Sequence, residues 1–172
     1  QEREARLGVD MKVVTTVSDP ANKITVDTSE LGSPEVYFGS ARNQYLANGN
    51  RGTVGQQTLV LPASGDRRLN ALYLGGSWNF TSEYAESADI SNGGGSVAFI
   101  YKAKNAYIVA SSKDLTQATT VEVWKDGALV QTLLIQSEKL YPLIQDSSYD
   151  QHSLELRVKK GPGLRAFTFT FG

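Results

Sequence analysis

The stretch VEVWKDGALV, residues 121–130, decides the fold class. Val121 and Val123 alternate with Glu122 and Trp124, the period-2 pattern of a strand with one buried face. Lys125-Asp126-Gly127 follows, then a second apolar run. Asp-Gly readily takes the positive φ angles that a tight hairpin turn needs. If the valines face the core, Trp124 faces water, which raises the question of what a tryptophan does there.

The same alternation recurs on either side. Leu154, Leu156 and Val158 alternate with Glu155, Arg157 and Lys159. Phe167, Phe169 and Phe171 alternate with Thr168 and Thr170, and Val97, Phe99 and Tyr101 share a parity. The pattern predicts strands over 12–17, 23–26, 35–38, 57–61, 70–74, 77–81, 96–103, 106–111, 119–125, 129–135, 153–159 and 165–171. Asn48-Gly49-Asn50-Arg51-Gly52, Ser91-Asn92-Gly93-Gly94-Gly95 and Gly161-Pro162-Gly163 mark turns or loops between them. No helix of ordinary length fits between the strands. Residues 1–8 read as a turn or two of helix ended by Gly8. The expected fold is all-β, an antiparallel two-sheet β-sandwich of jelly-roll type.

Composition narrows the function classes. The chain has 172 residues, 17 Lys plus Arg against 18 Asp plus Glu, and a formal net charge of −1. That gives no basic excess for phosphate binding, so nucleic acid is not an expected partner. No apolar run is long enough for a membrane-spanning helix, so this segment is not expected to insert in a membrane. The start, QEREARLG, is charged and unlike a signal peptide; a removed leader and a piece of a longer chain both fit it. There is no cysteine, which removes thiol–disulfide chemistry from this chain.

Catalytic patterns are equally sparse. The single histidine, His152, shares the parity of Leu154 and reads as structural, with no partner implied by the sequence. No G-x-S-x-G or H-E-x-x-H occurs, and Gly93-Gly94-Gly95 lacks the Lys-Ser/Thr of a phosphate loop. Glu83 with Glu86, or Glu122 with Glu155, could form a glycosidase pair, but solvated charge is the ordinary role of such residues. Asp89, Asn92 and Asp146 lack the spacing of a calcium loop. No cofactor, no metal and no catalytic residue is expected.

The aromatic residues carry what remains. The C–H face of a pyranose is apolar and its rim is polar, so half-wet Trp and Tyr rings suit it. Trp124 is the sharpest candidate. Tyr73 alternates with Leu72 and Leu74 and is expected to face out. Trp78, after a glycine pair, either plugs the end of the sandwich or meets a ligand.

SPEVYFGSARNQYL (33–46), LYLGGSWNFTSEYAE (72–86) and the closing VEVWKDGALV, KLYPLI (139–144), HSLELRV (152–158) and RAFTFTFG (165–172) together resemble the C-terminal domain of DipZ-type thioredoxin-like proteins. The resemblance implies a β-sandwich similar to carbohydrate-binding modules, spanning 33–172. It implies that 1–32 hold the end of a thioredoxin-like helix and a linker, and that the protein works outside the cytoplasm, in the periplasm or cell envelope. The Cys-x-x-Cys of the redox domain is not in this chain, so its activity does not carry over. Tyr37, Gly39 and Arg42 fall in the SPEVYFGSARNQYL segment. Tyr37 and Arg42 are candidates to line a ligand groove or to hold the segment against the sandwich or a neighbouring domain. Two functions therefore stand side by side. One is a non-catalytic module that binds glycan. The other is a scaffold that packs on its own thioredoxin-like domain or mediates oligomerisation without sugar, with Tyr37, Arg42 and Trp124 on one patch.

Overall fold

The structure, a computed structural model, describes residues 32–88, 90–92 and 94–172. The expected helix end at 1–8, the linker and the strands over 12–17 and 23–26 lie outside the described residues. Nine strands follow in order: β1 (Val36–Tyr37), β2 (Gly55–Leu59), β3 (Leu72–Phe80), β4 (Ala85–Ser87), β5 (Gly95–Ser112), β6 (Thr119–Lys125), β7 (Ala128–Ile135), β8 (Lys139–Lys160) and β9 (Leu164–Phe171). Among the described residues there is no α-helix, only two single-turn 3-10 segments, Ser64–Asp66 and Ile90–Asn92. The chain is an all-β sandwich with antiparallel strand pairing.

Strand β5 is the spine. One of its edges pairs with β8 from Ser96↔Arg157 to Ala110↔Lys139. Its other edge pairs first with β3, Leu72↔Phe99 to Gly76↔Gly95, and then with β9, Leu164↔Ser112 to Phe171↔Ala106. Short β4 joins β3 to β9 through Phe80↔Ala85 and Ala166↔Ala85. The ladder β3–β5–β9–β4 thus closes on itself, while β8, β6 and β7 extend it and β2 and β1 flank it. Closure leaves no open edge among these four strands, while β7, at the end of the order, keeps one.

The inward residues of these strands meet in one core. Val97, Phe99, Tyr101, Val121, Val123, Leu154, Leu156, Trp78, Phe80 and Phe169 are all buried. Phe169 sits among Phe38, Phe99 and Phe171, with ring centroids 5.1, 5.7 and 5.8 Å away. Each such ring contributes about 1.5–3 kcal/mol by leaving water. The alternation read along 121–123 and 154–158 is therefore the burial pattern of the folded chain, and along 97–101 it marks the main-core face, with Ala98 buried on the other face.

The hairpin also forms as its sequence directs. Asp126 and Gly127 take φ of 51° and 82°, the two positive angles of a tight two-residue turn closed by Lys125↔Ala128. Several predicted breaks are absent. The strands expected over 70–74 and 77–81 are one strand, because Gly75-Gly76 bends β3 (Gly76 at φ 91°) without ending it. The strands expected over 96–103 and 106–111 are likewise one, with a register shift between Ala103 and Asn105. KLYPLI begins β8, where Pro142 is accommodated at a second register shift.

Candidate functional site

The five candidate aromatic and arginine residues go to different places. Trp78 is fully buried and its indole Nε1 donates to the Gly75 carbonyl at 2.9 Å. It plugs the sandwich and no ligand can reach it. Tyr73 does point away from the main core, but it is also buried, in a small second cluster with Ala71 and Ala98. The loop after β2 covers it, and its hydroxyl accepts the Arg68 N–H at 3.0 Å. Its work is to hold that loop, which corrects the expectation of an exposed ring.

Trp124 is half-buried on the outer face, as its parity requires. Its ring is not bare. The Arg157 guanidinium lies 4.0 Å from the ring centroid, and the indole Nε1 donates to Glu122 at 3.1 Å. The register explains both contacts: Trp124 faces Glu155 across the β6–β8 ladder, and Glu122 faces Arg157, so the diagonal brings Arg157 over the indole. Arg157 Nε donates to Glu155 at 2.6 Å, and Arg67 Nη1 meets the other oxygen of Glu155 at 3.0 Å. Burial pushes the Glu155 carboxyl up, but the hydrogen bonds and charges of Arg157 and Arg67 more than offset it, and the group is held below the usual carboxylate range. Both Glu155 oxygens are engaged by guanidiniums and Glu122 accepts from the Trp124 indole, so these carboxylates serve to hold the rail together.

This rail borders an open groove of about 500 Å³. Its lining includes Val60 and Leu61 on one side, Gly76 and Gly95 at the base, and Arg157 and Lys159 on the other side. The base is backbone because the strands approach closely there: a Cβ on Gly95 would stand 2.8 Å from the Trp78 ring, and one on Gly76 would stand 2.7 Å from the Gly94 carbonyl oxygen. Val60, 84% exposed, projects from a wall that three side chains fasten. Asn48 Nδ2 donates to the carbonyls of Val60 and Leu74, at 2.9 and 2.8 Å. Arg67 Nε donates to the Pro62 carbonyl at 2.9 Å while its Nη1 holds Glu155, and Tyr73 holds Arg68. The result is an amphipathic trough with an apolar lip, a peptide floor and a cationic rail.

Tyr37 and Arg42 form a separate site. The Arg42 guanidinium lies 3.7 Å from the Tyr37 ring centroid, and the Tyr37 hydroxyl donates to Glu35 at 2.8 Å. With Ser82, Glu83 and Phe167 they line a cleft of about 410 Å³. Gly39 is there because a Cβ would overlap the backbone of Ser82 and Glu83; beside it, the carbonyls of Thr81 and Ser82 accept the N–H groups of Ser40 and Ala41. Tyr37 lies on the strand at one end of the ladder order and Trp124 on the strand next to the other end, and the Tyr37 cleft shares no lining residue with the groove beside Arg157.

His152 has partners that the sequence did not suggest. Its Nδ1 is 2.6 Å from Asp126 in the hairpin turn, and its Nε2 is 3.5 Å from Asp146, which also meets Lys125 at 2.8 Å. Burial pushes the Asp126 carboxyl up, but the Ser153 N–H and His152 outweigh it and the group sits below its ordinary value. Tyr101, buried beside them, has its hydroxyl pushed far up by burial and then by the charges of Asp146 and Asp126. The cluster ties the hairpin turn to β8.

The sequence profile described as "Thioredoxin like C-terminal domain" matches residues 33–172. No curated protein sequence matches the chain. Among solved structures, a family two carbohydrate esterase from Clostridium thermocellum in complex with cellohexaose is similar over 55% of this chain and 29% of its own, at 17% identity and a TM-score of 0.47. A family two carbohydrate esterase from Cellvibrio japonicus covers 51% and 26%, at 11% identity and 0.44. A cycloisomaltooligosaccharide glucanotransferase from Paenibacillus sp., complexed with cycloisomaltoheptaose, covers 81% and 18%, at 12% identity and 0.41. The chain spans less than a third of each of these proteins, and no residue role is carried over from them.

Proposed function

The chain belongs to the family of thioredoxin-like C-terminal domains, and on that premise we propose that it is a non-catalytic accessory domain that binds glycan in the groove between Val60 and Arg157. The observation that carries this reading is the groove itself. A sugar ring offers apolar C–H faces and a rim of hydroxyls. The groove offers Val60 and Leu61 to the first and peptide groups, Ser96, Glu155 and Lys159 to the second. The chain has no cysteine, so any thiol chemistry of a longer protein would belong to another part of it. In this reading the domain is extracytoplasmic, as its DipZ-type resemblance implies, and holds a redox partner near the cell envelope.

Trp124 then serves as a positioning residue. Its ring fixes Arg157 at the groove rather than stacking on sugar. Titration calorimetry with a panel of oligosaccharides, including peptidoglycan glycan fragments, tests the reading. The Val60→Ser variant removes an exposed apolar contact at no cost to the core, and it should weaken any binding several-fold. Saturable binding that V60S leaves unchanged would move the site elsewhere, and no binding at all would end the glycan reading.

One observation favours a second reading, a scaffold that packs on a thioredoxin-like domain. Leu129, Val130 and Leu134 are exposed on β7, the last strand of the ladder. Sedimentation of a mixture with a thioredoxin-like domain supplied in trans, with Leu134→Ser alongside, tests it: a complex lost in the variant would support it, and two independent species would not.

A further inference from the structure

Resting on the glycan reading of the same groove, we infer that its ligand is an acidic saccharide, one whose carboxylate pairs with Arg157. Arg157 Nε is committed to Glu155, while its two terminal nitrogens make no hydrogen bond among the described residues. The side chain is 41% exposed and lines the groove, so those nitrogens are available to a ligand. The guanidinium is also held in place: the Trp124 ring lies against it and Glu155 fixes its inner edge. A planar fork fixed in this way can grip a planar carboxylate with two parallel hydrogen bonds, and little side-chain freedom remains to be lost on binding.

The local charge agrees. Arg157 and Lys159 line the groove against one carboxylate, Glu155, and Arg67 already shares that carboxylate. The other acid nearby, Glu122, is occupied by the Trp124 indole N–H. Three cations thus stand against two committed carboxylates, and the hydroxyls of a neutral sugar could accept from the guanidinium edge but would bring no countercharge to it. A saccharide carrying a uronic acid or an acidic ether substituent would satisfy it. The apolar lip at Val60 and Leu61 would take its C–H face.

The test compares one uronate-containing oligosaccharide with its own carboxyl-reduced form, by calorimetry with the full chain. The acidic form should bind at least about tenfold tighter, and its affinity should fall with added salt while that of the reduced form does not. Arg157→Gln should erase the difference, bringing the acidic form to the affinity that the same variant shows for the reduced form. Lys159→Gln, at an exposed position, should narrow the difference without disturbing the Glu155 network. Equal binding of the two forms, or a preference that survives R157Q, would overturn the inference and leave the glycan reading standing. Failure of both forms to bind would overturn the two together.

Discussion

Glu155→Gln is the perturbation with the widest consequences. Glu155 ties the groove wall, through Arg67, to the rail, through Arg157. The two ion pairs are unequal. Arg67 is 8% exposed and cannot turn to water, so it would be left as a nearly buried charge. Arg157 is half-exposed, so its share is that of a surface pair, under about 1 kcal/mol. An ion pair at this range is worth up to about 4 kcal/mol at a surface-like dielectric before desolvation is subtracted. Breaking a fully buried pair costs about 3–5 kcal/mol. Arg67 keeps its bond to the Pro62 carbonyl, and glutamine can still accept one hydrogen bond, so we expect a loss of about 2–3 kcal/mol, below the fully buried case. For a domain of this size that is a fall in Tm of roughly 6–12 °C.

The pH dependence follows from the same contacts. The Glu155 pKa is lowered in the folded chain, so its stabilisation is complete above the unfolded value, about 4.3, and is lost as the pH falls through the folded value. Urea unfolding of wild type and E155Q at pH 7 and pH 3 is the assay. The gap should be wide at pH 7 and should shrink at pH 3. A gap under about 0.5 kcal/mol at pH 7, inside the range of an ordinary surface change, would refute the reasoning. So would a full gap that persists at pH 3.

Three other substitutions have definite expected outcomes. Tyr101→Phe removes a buried hydroxyl that has no hydrogen-bond partner among the described residues, so thermal melts should show the variant about 1 kcal/mol more stable. The raised Tyr101 pKa means that its contribution holds below the unfolded value and is lost as the pH rises, so the advantage of Y101F should widen above about pH 10. Trp78→Phe leaves a gap in the core and deprives the Gly75 carbonyl of its donor, a loss of about 2–3 kcal/mol in urea titration. Gly39→Ala forces a Cβ into the backbone at Ser82 and Glu83, and should cost at least about 2 kcal/mol although only one methyl is added.

What the sequence disclosed was what has a short period. The alternation at 121–124 and 154–158 gave the inward and outward faces, the Asp126-Gly127 pair gave the hairpin, and parity separated Trp124 from the core. Where a signal had two uses, the reading went wrong. Gly75-Gly76 is read as a break, but in β3 those glycines permit close approach to β5. Parity also says which face of a strand a residue takes and not what lies over that face. Tyr73 faces outward as expected, and the loop it anchors buries it. The partners that build the groove come from far apart in the chain. Arg67 and Glu155 are 88 residues apart, and no periodicity links them. The partners of His152 had a faint signal: a hairpin turn at Asp126 with β6 paired to β8 places the turn beside Ser153.

The most direct measurement is backbone amide chemical-shift mapping of the isotopically labelled domain titrated with an oligosaccharide that binds in calorimetry. We expect the shifts to gather at Val60, Leu61, Gly76, Gly95, Ser96, Arg157 and Lys159, with the Trp124 indole N–H moving as Arg157 engages the ligand. Shifts confined to Tyr37, Arg42 and Glu83, or none at the groove at saturating ligand, would contradict the assignment of the groove as the binding site.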